Sequence, residues 1–293
     1  MRTIPSTGGA PRFAVVHDKR WIVRVCLVLL GIAAWAMTAP LHAHAQSNVE
    51  STPTPTTTRS FEDRNILWTL VHQRCVSKAE RRIFPPAPCT DVELGQGGYA
   101  IFKDRDGPYQ YLLLPLARIT GIESPALLAP DAANYFAAAW KARLYVDASL
   151  HASQPRGVVS LAINSSLGRS QDQLHIHIDC VRGDVQDAIH RWLPRITPDW
   201  RPLPEGLPPF GHRYAAKWVS GENLRDNPLK DLASALPRND TLATHSLLVM
   251  GAYSPSGAPG FVLLSGRADT ATGDRAHAEE LQDTTCAIAQ HPP

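Results

Sequence analysis

From Gln173 to Cys180 the chain alternates polar and apolar residues without a break: Gln, Leu, His, Ile, His, Ile, Asp, Cys. Successive side chains of a β-strand point to opposite faces. The pattern therefore predicts a strand over Leu174–Val181 with Leu174, Ile176, Ile178 and Cys180 on a core face. Gln173, His175, His177 and Asp179 share the other face. A strand-like run from Gly157 to Ile163 precedes it, followed by the polar turn Asn164-Ser165-Ser166-Leu167-Gly168-Arg169-Ser170-Gln171. A hairpin of this kind delivers polar side chains and backbone N–H groups to the mouth of the histidine face.

The same reading extends along the chain. Ile66, Leu67, Leu70 and Val71 recur at helical spacing within Phe61–Val76. Tyr99–Phe102 and Tyr109–Leu114 read as strands joined by the turn Asp104-Arg105-Asp106-Gly107. Asp131–Val146 reads as an Ala-rich helix, with Tyr135, Phe136, Trp140 and Tyr145 as core, and Asp184–Trp192 as a short helix. After a Pro-rich stretch over 194–209 a second half follows: strand Tyr214–Val219, helix Leu229–Leu236, and strands Leu247–Tyr253 and Phe261–Ser265. Ala276–Ala289 is expected to close the chain as a helix, with Asp274 as its N-cap. The elements lack a βαβ rhythm, so the expectation is α+β, a mainly antiparallel sheet with flanking helices. The second half is open to reading as a degenerate echo of the first, although no sequence repeat is evident.

Composition narrows the function classes. Hydrophobic residues make up 44% and charged residues 19%, ordinary for a globular chain. The net charge of +2 leaves no basic footprint for nucleic acid, so a phosphate would have to be met locally. Lys19, Arg20 and Arg24 precede the apolar run Val25–Ala39, and Ala43-His44-Ala45 forms a small-x-small site before Gln46. At about 15 residues, that run is shorter than the roughly 20 needed to span a bilayer. Residues 1–45 thus read as a signal peptide, with a retained anchor as the alternative. The Pro/Thr-rich tract over 46–60 reads as a linker, and 61–290 as the folded domain.

Export implies an oxidising compartment. Outside the leader the chain has four cysteines, Cys75, Cys89, Cys180 and Cys286, which allow three pairings. Cys75–Cys89 would close a short proline-rich loop, and Cys180–Cys286 would then tie the core face of the histidine strand to the C-terminal helix. The long spacings and absence of Cys-x-x-Cys argue against a zinc site.

Two histidines on one strand face suit three chemistries. They could hold a metal with a third ligand such as Asp179 or His212. One could be a nucleophile toward phosphorus while the other orients or polarises. They could also be the acid and base of a phosphoesterase with two His-x-Ser/Thr motifs, although Asp179 stands where such a motif needs Ser or Thr. A decayed, non-catalytic nucleotide- or lipid-binding site is a further alternative.

The segment resembles the histidine-triad signature, His-φ-His-φ-His-φ-φ preceded by Gly-x-Ser/Thr. Gly168-Arg169-Ser170 stands at the matching distance, and Gln173 occupies the first triad position. One branch, the CDP-diacylglycerol pyrophosphatases, is similar over a longer span, from about residue 62 to about 287. The likeness is carried by Asp106-Gly107-Pro108-Tyr109-Gln110-Tyr111-Leu112-Leu113-Leu114-Pro115, Ile119-Thr120-Gly121-Ile122-Glu123-Ser124-Pro125, Ser160-Leu161-Ala162-Ile163-Asn164-Ser165, Gly211-His212-Arg213-Tyr214 and Glu279-Glu280-Leu281-Gln282-Asp283. The resemblance implies a HIT-like fold and hydrolysis of CDP-diacylglycerol to CMP and phosphatidate in phospholipid metabolism, with no cofactor. It implies His175 as nucleophile and His177 as its partner. Gln173, Ser170 and Asn164 are then expected substrate contacts, with Arg169, His212 and Lys217 as further phosphate-contact candidates. A lipid substrate also implies an exported, periplasmic protein at the inner membrane, touching the bilayer through apolar loops around Ile122–Leu128 or Leu203–Phe210.

Overall fold

The computed structural model describes residues 63–290. The expected leader and linker lie outside the described residues. Strands form where β-branched, aromatic and leucine side chains cluster between turns. They are β1 (Cys89–Glu93), β2 (Tyr99–Lys103), β3 (Tyr111–Pro115), β4 (Val159–Ile163), β5 (Ile176–Cys180), β6 (Arg201–Pro202), β7 (Tyr214–Ser220), β8 (Leu247–Tyr253) and β9 (Pro259–Gly266). All join one antiparallel sheet in the order β1-β2-β3-β5-β4-β8-β9-β7-β6. The helices are α1 (Ile66–Leu70), α2 (Ser77–Glu80), α3 (Tyr135–Ala142), α4 (Leu144–Ser149), α5 (Gly183–Trp192), α6 (Pro228–Ala235) and α7 (Ala287–Gln290). A π-helical segment, Val71–Val76, joins α1 to α2. The chain is thus α+β with a wholly antiparallel sheet, and the expected strands appear within a few residues of their predicted bounds.

The sheet carries an internal echo. Outward from the β4–β8 seam, one side runs β4-β5-β3-β2 and the other β8-β9-β7-β6. Each strand on the second side stands four places later in the chain than its counterpart. α3 and α4 lie between β3 and β4, and α6 lies between β7 and β8. Among the described residues β1 has no counterpart.

Two cores sandwich the sheet around β5. Ile176, Ile178 and Cys180 belong to the larger one, with Phe136, Trp140 and Val185 from the helices and Leu161 and Phe261 from neighbouring strands. On the histidine face, Leu112 pairs with His177 across the β3–β5 ladder. Leu112 and Leu114 pack in a smaller core with Leu67, Val71 and Cys75 of the N-terminal helical segment. That segment therefore lies over the histidine face and walls the site.

The turn between β2 and β3 needs glycine. Gly107 sits at φ 96°, a left-handed conformation, and a Cβ there would meet Thr284 at 2.6 Å. The Ala-rich helix begins at Tyr135 rather than Asp131, because Asn134 caps it by accepting from the N–H of Ala137 (3.1 Å).

The closing helix expected over Ala276–Ala289 does not form. Ala276 and Cys286 take positive φ (51° and 50°), which a helix does not tolerate. Between them lie the 3₁₀ turn Ala278–Leu281 and an extended residue, Gln282, that bridges Val181. The side chain of Asp274 caps no helix; it accepts from the N–H of Ala276 (2.7 Å). Tertiary ties override the helical pattern. Asp283 N–H donates to the Cys180 carbonyl (2.9 Å), Arg182 N–H to the Leu281 carbonyl (3.0 Å), and Cys286 is bonded to Cys180.

Both expected disulfides are present, Cys75–Cys89 across 14 residues and Cys180–Cys286 across 106. They fit an exported chain. Among the described residues no helix is long and apolar enough to cross a membrane. Replacing Cys75 and Cys89 by serine should lower the unfolding free energy by roughly 3 kcal/mol through loop-closure entropy. Urea denaturation of both proteins measures this, and equal stabilities would refute it.

Candidate active site

β5 is paired on both edges, with β3 and with β4. Its backbone is therefore fixed, and the odd-numbered side chains leave on one face. His175 and His177 stand there with ring centroids 4.8 Å apart at an edge-to-face angle of 68°. Both line a cavity of about 280 Å³, whose other walls include Ile66, Leu67 and Leu70 from α1, Asp104, Arg105 and Asp106 from the β2–β3 turn, and Gln110, Ser170 and Glu279.

His175 is held by the chain that leads into β5. Its Nδ1 lies 2.6 Å from the carbonyl oxygen of Gln173. A carbonyl accepts only, so Nδ1 carries the hydrogen and Nε2 keeps its lone pair. Burial pushes the ring's pKa down to about 4, and the neighbouring His177 pushes the same way, against the opposing pull of the Gln173 carbonyl. The ring is neutral near pH 7.

His177 is held by residues from outside the strand. Its Nδ1 is 2.9 Å from Oε1 of Glu279 and 2.9 Å from the amide nitrogen of Gln110. Its Nε2 is buried with no hydrogen-bond partner. Glu279 also receives the amide of Asn164 at 2.5 Å and lies 3.0 Å from Nε2 of His277. Burial works against its charge, but His177 and His277 outweigh that and hold its carboxyl well below the usual carboxylate range.

The remaining sequence-predicted residues divide into two groups. Ser170 is exposed on the cavity wall. Gln173 is fully buried and donates to the carbonyls of Pro115 (2.9 Å) and Ala117 (3.0 Å). Its side chain anchors the strand to the segment leaving β3, and its carbonyl is the part that meets the histidine. Asn164 reaches the site through Glu279. Arg169 turns into an ion-paired cluster, donating to Glu123 (2.8 Å) and Asp172 (3.1 Å), and Arg64 donates to Asp172 as well. The loop carrying Gly168 packs on the C-terminal segment, where a Cβ on Gly168 would stand 3.1 Å from the Ala276 carbonyl.

His212 and Lys217 are not at the cavity. His212 Nδ1 lies 2.9 Å from Glu280, and Lys217 donates to Asp231 at 2.6 Å. Both side chains meet carboxylates elsewhere in the second half, so the structure does not bring these two expected phosphate contacts to the cavity. Asp179 is fully buried beside the Cys180–Cys286 bridge. Among the described residues, the one trio of possible metal-ligand atoms within 4.8 Å is Asp179, Cys180 and Cys286, and its sulfurs are bonded to each other. The trio does not include His175 or His177. Of the apolar loops expected at a bilayer, Ile122, Leu127, Leu203 and Leu207 are core, whereas Phe210 is 68% exposed.

Sequence reasoning missed Glu279, His277 and Gln110 as parts of the site. One signal was available. A bridge from Cys286 to Cys180 brings the segment before Cys286 beside the histidine strand, and that segment contains the acidic pair Glu279-Glu280.

An antiparallel sheet presenting two buried histidines to a cavity defines an α+β protein with a histidine-centred pocket. A family model described as CDP-diacylglycerol pyrophosphatase matches residues 62–290. A curated relative from Yersinia pestis, named CDP-diacylglycerol pyrophosphatase, is 40% identical over 235 residues, covering 80% of this chain and 88% of the relative. The chain belongs to the CDP-diacylglycerol pyrophosphatase family.

Asp179 yields a pH test. Burial pushes its pKa up to about 8, against a hydrogen bond from the Cys180 N–H. The folded state thus keeps a proton that the unfolded chain releases above about pH 4. The stability contributed by that proton is complete at lower pH and is lost as pH rises through about 8. Asp179→Asn cannot ionise, so its stability should gain on the parent's as pH rises across this window. Urea titrations at stepped pH measure the difference, and parallel curves would show that the carboxyl is not held protonated.

Proposed function

We propose that this hydrolase of CDP-diacylglycerol works through a nucleotidyl-histidine formed on His175. The observation that carries the proposal is the 2.6 Å contact from His175 Nδ1 to the Gln173 carbonyl. It leaves Nε2 unprotonated, on a ring that burial keeps neutral, at the wall of a cavity. An uncharged nucleophile suits an ionised pyrophosphate, which repels anions.

Nε2 attacks the cytidylyl phosphorus, and phosphatidate departs. As the N–P bond forms, positive charge develops on the ring, and the Gln173 carbonyl stabilises it through Nδ1–H. Water then attacks the same phosphorus and releases CMP. His177 and Ser170 face the cavity, where non-bridging and leaving oxygens would gather charge. Ile66, Leu67 and Leu70 give the cavity one apolar wall for the diacylglycerol end.

The lipid substrate and the two disulfides support a setting in the periplasm at the inner-membrane surface, with the leader cleaved or kept as an anchor. Ile66 is 46% exposed and lines the cavity, so it is the wall residue best placed to meet an acyl chain at the bilayer. Ile66→Ser should raise KM for vesicle-borne CDP-diacylglycerol several-fold, with melting temperature unchanged. An unaltered KM would remove this wall from lipid contact.

The central test is chemical. Brief quenching with cytidine-labelled CDP-diacylglycerol should leave acid-labile, base-stable cytidylate on the peptide containing His175. His175→Ala should lose both label and turnover, and His177→Ala should slow turnover by about a hundredfold or more, roughly 3 kcal/mol. An unlabelled protein whose two single variants are equally inactive and whose activity a chelator removes would overturn the nucleophile in favour of a metal centre.

A further inference from the structure

His177 is placed for a task that nucleophilic attack by His175 leaves open. Its Nδ1 faces a carboxylate, and its Nε2 is buried, polar and without a partner. An unpartnered buried nitrogen costs stability, and a substrate oxygen or a water at the cavity would satisfy it. The carboxylate is itself tied down. Glu279 meets His177 through Oε1, and His277 (3.0 Å) and the Asn164 amide (2.5 Å) through Oε2. Its backbone N–H reaches Asn164 Oδ1 at 3.4 Å.

The turn that carries Glu279 is clamped on three sides. Glu280, the next residue, receives the Tyr214 hydroxyl (2.8 Å) and lies 2.9 Å from His212 Nδ1. Gln282 bridges Val181, and its amide donates to the Ser160 hydroxyl (3.1 Å). Cys286 is bonded to Cys180 on the histidine strand. An ionised carboxylate held this firmly against Nδ1 draws the hydrogen to that nitrogen, the Gln110 amide then donating to Glu279 Oε1 (3.4 Å) rather than to the ring, and it meets positive charge on the ring when Nε2 takes up a proton.

We propose that Glu279 is the positioning residue that makes His177 the proton carrier of the reaction, with His277 and Asn164 holding Glu279 in place. This rests on the nucleotidyl-histidine reading and assigns the protons in it. In the first step the His175 Nε2–P bond forms and the bond from phosphorus to the phosphatidate oxygen breaks. The proton on His177 Nε2 passes to that oxygen, leaving His177 neutral with Nδ1–H on Glu279. In the second step a water oxygen bonds to phosphorus and the N–P electron pair returns to His175. The water's proton goes to His177 Nε2, restoring the starting state.

The test compares leaving groups. CDP-diacylglycerol in mixed micelles is set beside the p-nitrophenyl ester of cytidine 5′-monophosphate, whose phenolate departs without a proton. Glu279→Gln keeps the shape of the side chain and removes the charge. It should slow turnover of CDP-diacylglycerol by about a hundredfold, the usual worth of general acid–base catalysis. The first-turnover burst of p-nitrophenolate should stay within about threefold of the parent's. The cytidylyl adduct should then persist, because the water step has lost its base. Glu279→Asp should recover part of the rate on CDP-diacylglycerol, and His277→Gln should lose less than Glu279→Gln does. The proposal is overturned if the burst and the CDP-diacylglycerol rate fall together, or if Glu279→Gln turns over CDP-diacylglycerol at the parent's rate. A parent protein that forms no adduct would sink the nucleotidyl-histidine alone, since single-turnover rates on the two substrates, taken in place of the burst, read Glu279 whatever the nucleophile.

Discussion

Strand β5 lies between β3 and β4, with ladder hydrogen bonds on both edges. A strand paired on both sides cannot slip by one residue without turning every side chain to the wrong face. That constraint puts Ile176, Ile178 and Cys180 into the larger core and commits His175 and His177 to the opposite face. It also fixes the Gln173 carbonyl beside the His175 ring, a contact that needs no partner beyond the strand's own entry segment. The tautomer of His175 thus follows from backbone geometry, whereas His177 depends on groups brought from elsewhere in the chain.

Those groups arrive because the C-terminal segment stays extended. As a helix from Ala276 to Ala289, the segment could not have kept Gln282 in a bridge to Val181 or Asp283 bonded to the Cys180 carbonyl. The left-handed residues Ala276 and Cys286 break the helix, and the Cys180–Cys286 bond pins the result to the histidine strand. Glu279 therefore reaches His177 across 102 positions of sequence by the same ties that close the fold. Stability and site geometry here share one set of contacts.

Legibility in the sequence followed the reach of each interaction. Alternation over 173–180 is local, and it predicted β5 and the faces of its side chains. The Cys75–Cys89 pair was readable because its loop is short. β1, with Thr90, Asp91 and Glu93 among five residues, is a polar edge strand and has no hydrophobic period to detect. Arg169, His212 and Lys217 are side-chain types that suit a phosphate, but composition does not reveal that Glu123, Asp172, Glu280 and Asp231 already meet them. Gln173 was expected at the substrate by its position in the signature. Full burial instead gives its amide to two backbone carbonyls, a long-range outcome that the pattern does not encode.

The repeated strand order explains what the second half contributes. β9 occupies the place that β5 holds in the first half, and its sequence, Pro-Gly-Phe-Val-Leu-Leu-Ser-Gly, has no titratable side chain. Its strand is buried from Gly260 to Gly266, so it serves as core rather than as a second histidine-bearing face. Gln110 directly precedes β3 and meets Glu279; His212 and Tyr214 stand at the start of β7, the counterpart of β3, and meet Glu280. Adjacent carboxylates on one 3₁₀ turn are thus drawn toward opposite halves of the sheet. The half whose matching strand, β9, carries no histidine holds Glu280, the neighbour of Glu279 on that turn. His212 is thus joined to the turn that carries Glu279 through Glu280, and the two halves of the sheet meet at one pair of adjacent carboxylates.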